Sequence, residues 1–272
     1  MPCRQTNLAR AEALYRAKLK QSFTLIDVVP RDGDCLVRNA AIFAALVRAL
    51  IAGDAGDLVA ELLAAAMKVP SPGAPMMRAR IVRALRKRAA DLNDDMGQII
   101  DSAIAEVVDN RAVVNGTTMR LQQRLADAIA VAGTSRLTAS VKREVWLEVM
   151  GGTGTFLELE ALEALPKIVA SSVELYHVGD IPAMLKGMAA LPLPERRFIT
   201  GSAPSSGPFS LVRDLRMQIY HSMNEKHFYL ILPNSSPLAH LLLEVQQRMK
   251  PRLHPQPSAS PRQGAQSLAA FD

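Results

Sequence analysis

A chain of 272 residues that is 49% apolar is long enough to bury one substantial core, and with only 4% aromatics it must do so largely through Ala, Leu, Val and Met on packed helices. Its formal charge of +6 is spread along the chain, and the one dense cluster, Arg78, Arg80, Arg83, Arg86, Lys87 and Arg88, has helical spacing and no interleaved aromatics; this argues for a solvated helical face and against a nucleic-acid partner. Two cysteines, Cys3 and Cys35, exclude a disulfide framework and suit a reducing compartment, and without an uncharged apolar run of bilayer length or a signal-peptide core a soluble chain with no membrane span is expected.

In chain order, residues 6 to 20 set Leu8, Ala11, Leu14 and Leu19 among charges, the pattern of an amphipathic helix with Thr6 or Asn7 as its cap. The alternating segment Phe23 to Val29 reads as extended and runs into Pro30 and the polar turn Arg31-Asp32-Gly33-Asp34. Cys35 to Ala52 is then an apolar, helix-prone run ended by Gly53, with Arg38, Asn39 and Arg48 its main polar positions. Such a helix faces protein on most of its circumference and belongs at the centre of the core. Asp57 to Val69, Met77 to Leu92, Gln98 to Val108 and Thr118 to Ala132 show helical periodicity between turn-forming breaks, which suggests a helical lobe. Past Val141 come a helix through Met150, a Gly-rich turn, a helix from Phe156 to Leu165, and a strand from Ser172 to Val178. Two more strands, Arg216 to His221 and His227 to Leu232, are joined by the turn Met223 to Lys226. Residues 200 to 208 read as a loop, His240 lies in an apolar C-terminal helix, and the stretch from 250 onward is rich in Pro, Ser and Gln, as in a disordered tail.

A cysteine that follows a tight polar turn and opens a buried helix has a physical reason to be reactive, because backbone N–H groups and the positive helix end favour the thiolate. The amides of the turn, at Gly33, Asp34 and Cys35, would face an anion developing beside the sulfur, an oxyanion hole in outline. Taken alone, Cys35 fits a small buried core cysteine better than a reactive one.

Asp32-Gly33-Asp34-Cys35-Leu36 resembles the Asp-Gly-Asn-Cys-Leu signature at the catalytic cysteine of the ovarian tumour (OTU) deubiquitinases, with four of five positions matching. The order that follows is also similar to that family: Trp146-Leu147-Glu148-Val149-Met150-Gly151-Gly152, then Glu158-Leu159-Glu160-Ala161-Leu162, then Val173-Glu174-Leu175-Tyr176, and last Lys226-His227-Phe228-Tyr229-Leu230-Ile231. The resemblance touches residues 23 to 50 and 141 to 232 and leaves 54 to 132 as a helical insertion or lobe.

What the resemblance implies is an α/β, papain-like OTU cysteine protease fold, a small β-sheet packed between helices with an additional helical region. It divides the chain into an N-terminal helix (1–22), a catalytic domain (23–245) and a disordered tail (246–272). The implied activity is hydrolysis of the isopeptide bond after the C-terminal Gly-Gly of ubiquitin, in single or polyubiquitin form, through a thioester and without metal or cofactor. Cys35 is the implied nucleophile and His227 its base, with His221 a second choice; His177, His240 and His254 read as structural or solvated. The family's Asp or Asn two residues after the histidine is Tyr229 here, so Asp32 is taken as the orienting carboxylate, N-capping of the helix being its other reading, with Asn224 and Glu225 behind it. Val37, Asn39 and Asp34 also depart from the family pattern, and Asp34 adds a negative charge expected to raise the Cys35 pKa. A narrow channel for the two glycines is expected between the Cys35 turn and the loops before His227. Met76, Met77, Ile81 and Leu85 are candidates for ubiquitin contact or for the helical lobe's own core. Arg outnumbers Lys 23 to 9, a balance common in GC-rich genomes, which fits a bacterial protein secreted into a host's cytoplasm. A peptidase of a ubiquitin-like modifier and a non-catalytic ubiquitin-binding module are the alternatives.

Overall fold

The computed structural model describes residues 2–89, 139–154, 157, 159–178, 197–199 and 215–253. In chain order these form α1 (Pro2–Ser22), β1 (Phe23–Ile26), α2 (Cys35–Ala52), α3 (Gly56–Ala66), α4 (Ala74–Ala89), α5 (Ala139–Gly151) and α6 (Leu159–Val169). Then come β2 (Ser172–Tyr176), β3 (Arg197–Ile199), β4 (Arg216–Ser222), β5 (His227–Pro233) and α7 (Pro237–Leu253), giving a mixed α/β protein. Its sheet has five strands in the order β1-β5-β4-β2-β3; β2 and β4 run parallel and the other neighbours antiparallel.

Successive residues of a strand face opposite sides of a sheet, and β5 separates two cores in this way. Phe228, Leu230 and Leu232 join the aliphatic core built on α2 with residues from α3 to α7. Tyr229 and Ile231 join Tyr15, Leu19, Phe23, Tyr176 and Tyr220 in a smaller aromatic cluster under α1. The stripe α1 buries is Ala11, Tyr15 and Leu19, whereas Leu14 is 44% exposed. The helix already begins at Pro2, a residue whose fixed φ and missing N–H suit a first helical position, so Thr6 and Asn7 lie inside it and not at its start.

α2 has the bounds read from the sequence. Asp34 is its N-cap residue, the Arg38 amide donating to the Asp34 carbonyl at 2.8 Å, and Gly53 closes it in a left-handed conformation at φ 69°. Leu36, Ile42, Phe43 and Leu46 are wholly buried, at roughly 1.5–3 kcal/mol of apolar burial each. By length and composition α2 would pass for a membrane span, but 72% of it is buried inside the chain, as befits a core helix.

α3 ends at Ala66, three residues before the expected Val69, and Lys68 turns the chain at φ 56°. α4 starts at Ala74 because the Glu61 carboxylate accepts the Ser71 hydroxyl and the Gly73 amide just before it. A Cβ at 73 would lie 2.6 Å from Glu61 Oε1 and 3.3 Å from the Ala41 Cβ, so a larger residue there would displace the Glu61 carboxylate that holds this turn. α6 continues past Pro166 to Val169, beyond the expected stop at Leu165: Leu162, Leu165 and Val169 keep one buried stripe although the proline gives up a helical hydrogen bond. α7 extends through Leu253 with Val245 and Met249 buried, so the tail boundary placed at 246 falls within a packed helix. The helices expected at Gln98 to Val108 and Thr118 to Ala132, and the loop at 200 to 208, lie outside the described residues.

Candidate active site

The nucleophile candidate sits where two edges meet. β1 pairs with β5 only as far as Leu230, so Phe228 and His227 continue β5 beyond the end of its neighbour. The first turn and a half of α2 fill that edge. Asn39, one turn after Cys35 on the same helix face, donates Nδ2 to the Phe228 carbonyl at 2.6 Å, while the Phe228 N–H acts on the Cys35 sulfur. Cys35 is thereby held against the backbone of the residue that follows His227.

Cys35 is buried to 1% exposure, and burial pushes its thiol up to about 11. The backbone N–H groups of Phe228, Leu36 and Cys35 itself oppose that rise, while the charge of Asp32 adds to it. The turn before Cys35 is a closed unit. Gly33 takes φ 81°, a conformation that excludes most side chains, and Asp32 Oδ1 accepts the Asp34 amide at 3.1 Å. Asp32 Oδ2 accepts Arg38 at 2.7 Å, and Arg38 also donates to the Val69 carbonyl at 2.8 Å. Asp32 therefore shapes the turn; it makes no side-chain cap to α2 and no hydrogen bond to His227. In this conformation the Asp34 amide, one of the expected oxyanion donors with those of Gly33 and Cys35, is directed to Asp32.

Asp34 itself is buried and ion-paired with the equally buried Arg78 of α4, whose second nitrogen donates to the Met150 carbonyl at 2.6 Å. Two expectations change here. Arg78 belongs to the interior and not to a solvated face, although Arg80, Arg83, Arg86 and Lys87 are exposed. And the carboxylate that raises the Cys35 pKa is Asp32, Asp34 being matched by an arginine.

His227 opens β5 after the turn Met223–Lys226, whose last residue takes φ 49°. Wholly buried, with neither ring nitrogen hydrogen-bonded among the described residues, it is pushed down to about 4, first by burial and then by the charge of Arg31. Glu225 and Asp32 pull the other way. Its ring packs edge-on against Tyr229, centroids 4.4 Å apart. The Tyr229 hydroxyl donates to Glu225 and accepts from Arg31 at 2.8 Å, and Glu225 also takes Arg16 at 2.9 Å and Arg31 at 3.1 Å. Burial opposes the Glu225 charge, but hydrogen bonds from Tyr229, Arg16 and Arg31 hold its carboxyl down at about 2. His221, the second choice of base, stacks on Phe228 at 4.4 Å and is also lowered to about 4, by burial and then by His177.

Arg78, Arg31, Arg16, Arg38 and Asn39 are the site residues that sequence reasoning missed as participants. Arg38 and Asn39 carried a signal, as polar residues one turn after the cysteine on an apolar helix. Of the four apolar positions on α4, Met77, Ile81 and Leu85 are core, and Met76 is 53% exposed. A cavity of about 520 Å³ runs along α4, lined by Arg78, Val82, Arg83, Arg86, Gly151 and Thr153 among others; neither Cys35 nor His227 lines it. Among the described residues no three His, Cys, Asp or Glu side chains are grouped so as to hold a metal ion.

The chain matches no family model, no curated protein and no solved structure.

Proposed function

We propose that this chain is a cysteine isopeptidase of the OTU type that cleaves after the C-terminal Gly-Gly of ubiquitin, with Cys35 as nucleophile and His227 as base. The observation that supports this reading best is the meeting of α2 and β5: Asn39 and the Cys35 sulfur both engage the backbone of Phe228, 189 residues from Asn39 in sequence, and the residue before it is a buried histidine without hydrogen-bond partners among the described residues. A packing role would favour an apolar residue at 227, since an unsatisfied buried polar group costs on the order of 1–3 kcal/mol.

In the proposed reaction His227 takes the Cys35 proton and the sulfur attacks the glycine carbonyl carbon. The amine leaves with that proton, and water, deprotonated by His227, hydrolyses the thioester. At rest the pair is a neutral thiol and a neutral imidazole. Moving a proton from a group near 11 to one near 4 costs roughly 9–10 kcal/mol. Attraction between the resulting ions returns about 4 kcal/mol at contact in a partly polar medium. Burial thus favours the neutral pair, and with the Asp34 amide occupied by Asp32, substrate binding on this reading has to loosen the turn before the oxyanion has a donor there.

The burial of both residues also favours the second reading, a ubiquitin-binding module without turnover. Incubation with eight linkage-defined diubiquitins separates the two: the enzyme yields monoubiquitin from at least one, whereas binding without cleavage of any supports the module.

A further inference from the structure

Arg78 stands outside both stretches that resemble the family, yet it is the residue of α4 that reaches the nucleophile's turn. It is 4% exposed and its partner Asp34 is 6% exposed, so the pair is held away from water. One nitrogen pairs with the Asp34 carboxylate and the other donates to the Met150 carbonyl at 2.6 Å, so one planar fork spans two chain segments. Those segments meet a second time: a Cβ on Gly154 would lie 3.3 Å from the Asp32 carbonyl, which puts the turn after α5 directly on the turn before Cys35.

We infer that Arg78 is a positioning residue for the Cys35 turn, matching the charge of Asp34 and tying that turn to the end of α5, so that the helical segment inserted after α2 completes the candidate active site. This rests on Cys35 being the nucleophile. An uncompensated Asp34 carboxylate one residue before the sulfur would oppose the thiolate, and a buried charge without its partner would shift until solvated.

The test uses the full chain in a Cys3→Ser background, comparing the parent with Arg78→Met, Asp34→Asn/Arg78→Met and Arg78→Lys. Two rates are read, alkylation of Cys35 by iodoacetamide at pH 8 and turnover of a fluorogenic ubiquitin C-terminal amide. Arg78→Met is expected to slow alkylation about tenfold and turnover on the order of 10–100-fold, and adding Asp34→Asn to recover most of both losses. Arg78→Lys keeps the charge but not the fork, and is expected to leave alkylation unchanged while lowering turnover about tenfold. A purely structural arginine behaves with the opposite sign, because a loosened turn exposes the thiol and speeds alkylation. Faster or unchanged alkylation in Arg78→Met, failure of Asp34→Asn to restore it, or full turnover in Arg78→Lys would overturn the inference. If the parent shows no ubiquitin turnover, the proposed function fails while the alkylation rates still decide the role of Arg78.

Discussion

The two halves of the candidate site are held in opposite ways. Around Cys35 each polar side chain has a partner, Asp32 in Arg38 and the Asp34 amide, Asp34 in Arg78, Asn39 in the Phe228 carbonyl, although Arg38 Nε and Asn39 Oδ1 are left without one among the described residues. His227 has two unsatisfied ring nitrogens among the described residues and touches its surroundings through its ring, while the hydrogen bonding beside it passes through Tyr229, Glu225, Arg16 and Arg31. A buried imidazole with neither nitrogen hydrogen-bonded among the described residues is a poor arrangement for stability alone, and under the proposed function it is expected where stability is given up for chemistry.

His227→Leu breaks the comparison most sharply. It is expected to abolish turnover, a loss of at least 100-fold, while the melting temperature stays the same or rises, because an unsatisfied buried imidazole is exchanged for an apolar side chain of similar size. A large drop in melting would mean that the histidine is held by groups the fold needs.

On the nucleophile side, Asp32→Ala removes the acceptor that shapes the turn and strips a partner from the buried Arg38; it is expected to cost about 2–3 kcal/mol in urea denaturation and, because the Cys35 turn loses its shape, to lower turnover by 10-fold or more even though the Asp34 amide is freed. Tyr229→Phe removes one hydroxyl from a network in which Glu225 keeps Arg16 and Arg31, so about 1 kcal/mol and a few-fold in turnover are expected. A Tyr229→Phe variant more impaired than Asp32→Ala would move the orienting role to the base's strand.

Acid sharpens the same contrast. His221 and His227 are lowered from 6.5 to about 4 in the folded chain, so below pH 6.5 the unfolded state takes up protons that the folded state refuses. Stability is expected to fall between pH 6.5 and 4 by a few kcal/mol, then to level off for these two groups, and the slope in urea midpoints should be shallower in His227→Leu. Glu225, lowered to about 2, works in the same direction further down: its contribution is complete above pH 4.5 and is lost as pH falls toward 2.

Much of this was legible in local pattern. The bounds of α2 followed from a glycine turn before it and Gly53 after it, and the strands from alternating or continuous apolar runs. β3, at three residues, is too short for any periodicity to mark, and its existence depends on the edge that β2 offers. The positions of Cys35 and His227 on a helix start and a facing strand were readable from motifs. The partners of the turn were not, because an arginine 44 residues away is paired with Asp34 by tertiary packing, and on α4 it has the same spacing as its solvated neighbours. The weakly ranked Glu225 emerged as the carboxylate on the base's side for the same reason, its role set by what α1 and the Arg31 turn bring to it.

The most direct test of the central proposal is labelling with ubiquitin bearing a C-terminal thiol-reactive group, applied to the parent chain, Cys35→Ala and Cys3→Ala, with the adduct located by mass spectrometry. One ubiquitin is expected on Cys35 in the parent and in Cys3→Ala, and none in Cys35→Ala. Labelling that survives Cys35→Ala and vanishes in Cys3→Ala, or no adduct on a folded parent chain, would contradict it.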